Sequence, residues 1–256
     1  MKVLITGARS GIGYLTALTL AEKKYEVYLT CHTKKEALNV RKKLKDYKNI
    51  IVLKVDITDE NDRKRVKELD VDYLICNAAS CEGGSILEKD MDEVRENYEV
   101  NVFSNFRLIQ MVLEDMVKKD RGRIIVISSQ AANISIPFMS VYASTKASIS
   151  LITKSLQKEI GLISKNIKVV LVEPGLYHTG FNQVFLNNKY DNGIYFRNIK
   201  NRLRKIENLL FNLLEKKELD SIVIQIVRSV IDKKPKKKYT APFLQSKLIK
   251  LYSIFK

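Results

Sequence analysis

The chain has 256 residues, 45% of them hydrophobic, and a formal net charge of +16. That length and apolar content predict a single α/β domain over 1–256, and no stretch approaches the roughly 18 to 20 apolar residues that a membrane span needs. The 3 cysteines (Cys31, Cys76, Cys81) and 2 histidines (His32, His178) have neither a disulfide framework nor metal-ligand spacing, so a reduced, cytoplasmic protein without a metal is the expectation.

The basic residues run from KKEALNVRKKLK (34–45) to KKPKKK (233–238) and read as a solvated surface. Neither an aromatic stacking platform nor a recognition motif accompanies them, so nucleic acid is not an expected partner. At the N-terminus the apolar run VLI leads straight into a glycine loop, with no secretory pattern ahead of it.

In chain order, KVLIT (2–6), EVYLT (26–30), NIIVLKV (49–55), VDYLIC (71–76), GRIIVISS (122–129) and NIKVVLVEP (166–174) are Val- and Ile-rich strands too apolar to have one wet face. Helical periodicity fills the gaps, over about 11–24, 34–46, 59–69, 90–119 and 140–163. Strand and helix alternating in this way predict a doubly wound parallel sheet of the Rossmann type. Residues 176–198, rich in Asn, Phe and Tyr and without a clean period, begin a substrate lid that extends to about 217. Its helical part, 199–217, places Ile199, Leu203, Ile206, Leu210 and Leu213 on one face. A helix at about 218–231, a short extended piece at KKYTA and a basic tail over about 233–256 complete the chain.

The stretch TGARSGIG (6–13) joins the first strand to the first helix. Helix N-terminal amides beyond a strand's carboxyl end favour an anion, and a pyrophosphate is the expected occupant. Gly7 permits the turn, Gly11 lets phosphates approach the backbone, and Gly13 lets the helix pack closely.

With its Gly-x-x-x-Gly-x-Gly spacing, this loop resembles the cofactor loop of the short-chain dehydrogenase/reductase family. VDIT with Asp56, CNAAS with Asn77 and Ala78, Asn101 in a long helix, VISS ending at Ser129, YASTK with Tyr142 and Lys146, and EPGLYHT with Pro174, Gly175 and Thr179 extend the resemblance from Met1 to about Phe181. CNAAS departs from the family pattern in having Cys76 for Asn and Ala79 for Gly. The resemblance implies an oxidoreductase that interconverts a carbonyl and a secondary alcohol. Asn101, Ser129, Tyr142 and Lys146 would form its catalytic set. Cofactor contacts would come from Thr6, Gly7, Arg9, Ser10, Gly11, Ile12, Gly13, His32, Asp56, Ile57, Asn77, Ala78, Tyr142, Lys146, Pro174, Gly175 and Thr179.

Tyr and Lys four apart are common on a solvated helix, and it is the resemblance that gives the pair in YASTK a chemical reading. Tyr142 and Lys146 share a helix face, and an ammonium four residues away favours ionisation of the phenol. Moving a phenol from near ~10 to about 7 takes roughly 4 kcal/mol, which Lys146 and the positive nicotinamide of an oxidised cofactor would supply together. Tyr142 would then exchange a proton with the substrate oxygen while Ser129 hydrogen-bonds the same atom. Ser128 is the rival serine, turned to the opposite side by strand alternation. By resemblance, Asn101 binds a water that links Lys146 to solvent.

No acid ends the second strand; Cys31, His32, Thr33, Lys34 and Lys35 precede Glu36, and Arg9 sits in the glycine loop. Cations there suit a 2′-phosphate, so NADP is expected over NAD. Phe181, Val184, Phe185, Leu186, Tyr190, Ile194, Tyr195 and Phe196 make an apolar lid, which points to an apolar carbonyl or alcohol or, equally, to packing on the next helix or a partner subunit. A 3-oxoacyl thioester reductase and a non-catalytic NADP-binding sensor are the alternatives. A homodimer or homotetramer is implied by the family, and Leu248, Ile249, Leu251, Ile254 and Phe255 beside lysines would rest on a membrane surface or pack against the body.

Overall fold

Lys2–Ile5 (β1), Glu26–Cys31 (β2), Ile50–Lys54 (β3), Tyr73–Cys76 (β4), Gly122–Ile127 (β5) and Ile167–Pro174 (β6) are the apolar runs expected as strands, and Lys238–Ala241 (β7) joins them. In this computed structural model, which describes residues 1–181 and 194–254, they form one sheet of order β3-β2-β1-β4-β5-β6-β7. Each neighbouring pair is parallel. The strand order reverses between β1 and β4, which opens a crevice at their carboxyl ends, as in the Rossmann arrangement.

The helices are Gly11–Glu22 (α1), Lys34–Lys43 (α2), Glu60–Glu68 (α3), Met91–Tyr98 (α4), Asn105–Lys118 (α5), Ser140–Ile163 (α6), Lys200–Leu214 (α7), Asp220–Ile231 (α8) and Phe243–Ile254 (α9). Strand alternation divides the core into two layers. Val3, Ile5, Val27 and Leu29 face Leu20, Val40, Val223 and Ile226 from α1, α2 and α8. Leu4, Leu74, Ile124 and Val126 face Val66, Leu108, Val112 and Ile149 from α3, α5 and α6. Each such side chain, fully buried, contributes roughly 1.5–3 kcal/mol.

Two elements differ from expectation. KKYTA is not an isolated extended piece: it is the seventh strand, Leu171 to Pro174 of β6 pairing with Lys238 to Ala241. The helix expected over 90–119 is broken by a π-helical turn at Glu99–Ser104, between α4 and α5. A π turn shifts carbonyls away from their regular partners, and the Asn105 side chain donates to one of them, Val100 O, at 2.8 Å.

Candidate active site

A cleft of about 1170 Å³ runs from the glycine loop across the carboxyl edge of the sheet to the start of the lid. The glycine loop forms its floor at one end, with Gly7 and Gly11 both at positive φ (61° and 62°). A Cβ on Gly7 would lie 2.6 Å from Ala78 Cα, and one on Gly13 would lie 2.6 Å from Asn77 Nδ2, so both glycines permit close approach of the loop after β4. Ser10 caps α1 without any side-chain hydrogen bond, and the first turn carries no acid. Those amides therefore favour an anion from the cleft, which is the cradle a pyrophosphate needs.

Thr6 stands behind this cradle. It is fully buried, and its hydroxyl accepts from the Asn77 and Ala78 amides, each at 3.0 Å. Expected as a cofactor contact, it forms the clasp between the glycine loop and the loop after β4 and exposes no surface of its own. Asn77 strengthens the clasp by donating to Thr6 O and Gly7 O at 3.0 Å.

The helical run across α4 and α5 carries an asparagine every four residues, at Asn97, Asn101 and Asn105, all buried. Asn101 accepts from Ser80 N at 2.8 Å and donates to Ser80 O at 2.9 Å, to Thr145 Oγ1 at 3.0 Å and to Asn97 Oδ1 at 3.1 Å. Asn97 donates to Ser80 Oγ at 3.0 Å, and Asn105 to Ala78 O at 3.2 Å. The ladder thus holds the loop after β4 in place. The Asn101 side chain is committed to these protein partners and only 1% exposed.

Ser129, Tyr142 and Lys146 come together at the middle of the cleft. Ser129 follows β5 as the N-cap of the short turn Gln130–Asn133 and lines the cleft together with the Tyr142 phenol. Ser128 turns away: its Oγ lies 2.9 Å from Lys146 O inside the protein. Lys146 Nζ lies 5.8 Å from the Tyr142 ring centre and donates to Ile127 O at 3.2 Å. The phenol is not lowered by the protein alone. Burial, with a further contribution from Cys81, pushes it above its ordinary value, with Ser129 acting in the opposite sense. Burial also pulls the Lys146 ammonium down to about 8.

At the glycine-loop end, Arg9 and His32 both line the cleft, but neither stands alone. Arg9 Nε lies 3.3 Å from Glu36 Oε1, while the other oxygen of Glu36 accepts from Thr33 N in the capping box of α2. His32 Nε2 lies 3.1 Å from Asp56 Oδ2, and Asp56 Oδ1 accepts from Thr58 N and Oγ1 at 2.9 and 2.7 Å. Burial opposes ionisation of Asp56, but the Thr58 bonds and His32 together hold its carboxyl below the ordinary value. Lys34 and Lys35 begin α2 and do not line the cleft.

Near Tyr142 the cleft becomes apolar, with Ile136, Met139, Phe181, Phe211 and Leu248 in its wall. The Phe181 ring centre is 5.8 Å from that of Tyr142. Ser10, Ile12, Ile57, Pro174, Gly175 and Thr179 also line the cleft. The lid is fastened at its two stems: Lys216 N donates to Leu176 O at 3.0 Å and His178 N to Lys216 O at 2.9 Å. Phe196 packs edge-on against Phe138, whereas Ile194 and Tyr195 are exposed. Val184, Phe185, Leu186 and Tyr190 lie outside the described residues, as do the side chains of Leu210 and Leu213.

A family model described as short chain dehydrogenase matches residues 1–189. The chain belongs to the short-chain dehydrogenase family. A 3-ketodihydrosphingosine reductase of Bacteroides thetaiotaomicron is 34% identical over 185 residues, covering 70% of this chain and 65% of the relative's length. The solved structure of ElxO with NADP bound is 27% identical with a TM-score of 0.66, covering 73% of this chain and 77% of that one. A 7α-hydroxysteroid dehydrogenase complexed with NADH and 7-oxo glycochenodeoxycholic acid is 30% identical, also with a TM-score of 0.66, covering 72% of this chain and 73% of that one. NADP and NADH thus both occur among dehydrogenases similar to this chain.

Against the short-chain dehydrogenase pattern, the residues that sequence reasoning missed are Glu36, Asn97 and Gln245. Asn97 carried a usable signal, since Asn97, Asn101 and Asn105 repeat at helical spacing in a run whose neighbours are apolar. Glu36 looks like any helix-opening acid until Arg9 is placed beside it.

Proposed function

We propose that this chain is an NADP(H)-dependent oxidoreductase that interconverts an apolar carbonyl compound and its secondary alcohol. The observation that carries the reading is the meeting of Ser129, Tyr142 and Lys146 in one cleft with the glycine loop. Membership of the short-chain dehydrogenase family supports it.

The bound dinucleotide supplies the hydride during reduction and accepts it during oxidation. The chain's own residues handle the oxygen. Burial keeps the Tyr142 phenol protonated, so it begins reduction as an acid and donates its proton to the carbonyl oxygen. Ser129 donates a second hydrogen bond to that oxygen as negative charge develops. Lys146 then stabilises the phenolate left behind, and its value near 8 makes it a better proton exchanger at neutral pH than a surface lysine. The apolar wall of Ile136, Met139 and Phe181 excludes water from the reacting end.

The pyrophosphate would lie on the α1 amides, and Arg9 with His32 would meet the 2′-phosphate of NADP. Pro174, Gly175 and Thr179 would close over the nicotinamide end, and the lid stems would position an apolar substrate. A ketone of lipid or steroid type fits that wall, in keeping with the substrate named for the Bacteroides relative. Among the described residues no helix is long and apolar enough to cross a membrane, and a cytoplasmic site of action is part of this reading.

A second copy of the chain is the proposed macromolecular partner. Exposed Phe103, Phe106 and Leu151 on the α5 and α6 side supply an apolar surface for it, and size-exclusion chromatography with light scattering tests that point. Exposed Phe243, Leu244, Leu248 and Leu251 on α9 form a separate apolar face suited to a lipid surface.

NADPH oxidation measured against a panel of alkyl ketones, diketones, oxosteroids and acetoacetyl thioesters tests the activity. Turnover of ketones is the expected result, preference for thioesters would reassign the chain to oxoacyl reduction, and binding of NADPH without turnover of any of them would leave a sensor.

A further inference from the structure

Ser128 has no place in the proton chemistry above, yet it heads a buried polar chain. Its Oγ lies 2.9 Å from Lys146 O and 2.7 Å from Ser150 Oγ, and when Ser150 gives its one proton to Glu173 the Ser128 proton goes to Ser150. Ser150 Oγ lies 3.5 Å from Glu173 Oε1. Glu173 is 1% exposed in the apolar run VVLVEP, one residue before Pro174. Its other oxygen accepts from Asn133 Nδ2 at 3.1 Å and pairs with Lys238 of β7.

A carboxylate in the middle of a parallel sheet is costly unless it is bonded on every side. Here each partner belongs to a different part of the site. Asn133 closes the short turn Gln130–Asn133, whose N-cap is Ser129. Ser150 belongs to α6, the helix that carries Tyr142 and Lys146. Lys238 ties both to β7. Ser129 and Tyr142 come from segments that share this one buried anchor.

We propose that Glu173 is a positioning residue of the active site, holding the turn behind Ser129 through Asn133 and α6, the helix of Tyr142 and Lys146, through Ser150. The proposal rests on the carbonyl-reduction reading above. Glu173 touches neither substrate nor cofactor; it sets the separation of Ser129 and Tyr142, and displacements of about 1 Å at such groups cost up to ~100-fold in rate.

The chemistry of the contacts separates hydrogen bonding from charge. In Glu173→Gln the amide oxygen can accept from Asn133 while the amide nitrogen donates to Ser150, so the chain survives without the charge. Glu173→Leu keeps the volume and removes every bond.

The test compares these variants with Ser150→Ala by melting temperature, NADPH titration, kcat and KM on the panel ketone that wild type reduces fastest, and the NMR signal of Tyr142 in tyrosine-labelled protein, assigned with Tyr142→Phe. For Glu173→Leu the expected result is a kcat at least ~10-fold lower with NADPH affinity and KM unchanged, together with a displaced Tyr142 signal. Glu173→Gln should restore both kcat and signal. Should the Leu variant not fold, Ser150→Ala is expected to show the same split at ~3-fold or more. An unmoved Tyr142 signal in the Leu variant, or in Ser150→Ala where the Leu variant does not fold, overturns the proposal whether or not wild type reduces any ketone. So does a Gln variant as impaired as the Leu variant. Wild type inert toward the whole panel, with the signal displaced as expected, would instead overturn the reduction reading and leave the positioning intact.

Discussion

Tyr142 and Lys146 lie one turn apart on α6, the ammonium nitrogen 5.8 Å from the phenol ring centre, and burial shifts their acidities in opposite directions. The phenol rises and the ammonium falls to about 8, so both groups are driven towards their neutral forms. A neutral phenol suits the reduction direction, in which Tyr142 begins as the acid. Oxidation requires the phenolate, and the positive charge of an oxidised nicotinamide would supply what the protein lacks.

Replacing Tyr142 by Phe keeps the ring that packs on Phe181 and removes only the proton donor. NADPH titration should therefore be unchanged, while ketone reduction falls by at least ~100-fold. A Phe variant with near wild-type kcat would remove Tyr142 from the mechanism.

Lys146 has the opposite prediction for stability and for activity. Its folded value, about 8, lies below the ordinary 10.5, so between these limits the unfolded chain holds a proton that the folded chain has released. Stability therefore rises with pH across that window, and below pH 8 the buried ammonium costs about 3 kcal/mol, less about 1 kcal/mol for its bond to Ile127 O. Lys146→Met should abolish reduction yet raise the melting temperature of the cofactor-free protein at pH 7 by a few degrees. The gain should shrink as the pH is raised from 8 towards 10.5. Equal melting temperatures at pH 7 would contradict the burial penalty.

What the sequence made legible follows from how the physics is encoded. The five central strands announce themselves because a strand buried on both faces must be continuously apolar, and the edge strand β3 is as apolar in sequence although its Ile51 is exposed. β7 does not, because Lys238 and Thr240 alternate with buried Tyr239 and Ala241 on an edge strand, a pattern shared with ordinary loops. Tyr142, Lys146 and Ser129 could be picked out through the family resemblance, and the structure brings them into one cleft because the segments that carry them are local. Thr6 could be placed in the loop but not behind it, because its burial depends on Asn77 and Ala78, some seventy residues away. The π turn was hidden by near-continuous helical periodicity across Asn101. Glu173 did leave a trace, as a single carboxylate inside an apolar strand, but its partners Asn133, Ser150 and Lys238 come from three distant segments.

Cofactor preference turns on a pair of side chains. In the proposed NADP reading Arg9 is the cation that would meet the 2′-phosphate, and Glu36 lies 3.3 Å from it with its other oxygen held by the α2 capping box. A dianionic phosphate must therefore displace or neutralise Glu36. Arg9→Ala should weaken NADPH binding by about 1 to 3 kcal/mol and leave NADH unchanged. Glu36→Gln should tighten NADPH, again without affecting NADH. Fluorescence titration of both cofactors with the three proteins decides the matter, and equal NADPH affinity across them would show that this pair does not read the phosphate.

The tail's role turns on Gln245. Its side-chain oxygen accepts from Leu176 N at 2.8 Å and its nitrogen donates to Leu214 O at 2.7 Å, so α9 grips both ends of the lid. Gln130, beside Ser129, reaches the same helix by donating to Ser246 Oγ at 2.7 Å, while Leu248 and Ile249 line the cleft. A helix fastened in this way does more than rest on a surface. Truncation after Pro242, which keeps β7 whole, should therefore cut ketone turnover by at least ~10-fold, since a loosened lid no longer orients substrate, while the glycine loop still binds NADPH. Gln245→Ala is the milder probe: two lost hydrogen bonds, about 0.5–1.5 kcal/mol each, should raise KM for the ketone several-fold and speed hydrogen exchange at Leu176. Steady-state kinetics on the truncated protein are the decisive measurement. Wild-type kcat and KM after loss of α9 would mean that the lid is held without Gln245 and that the tail is only an exposed apolar surface.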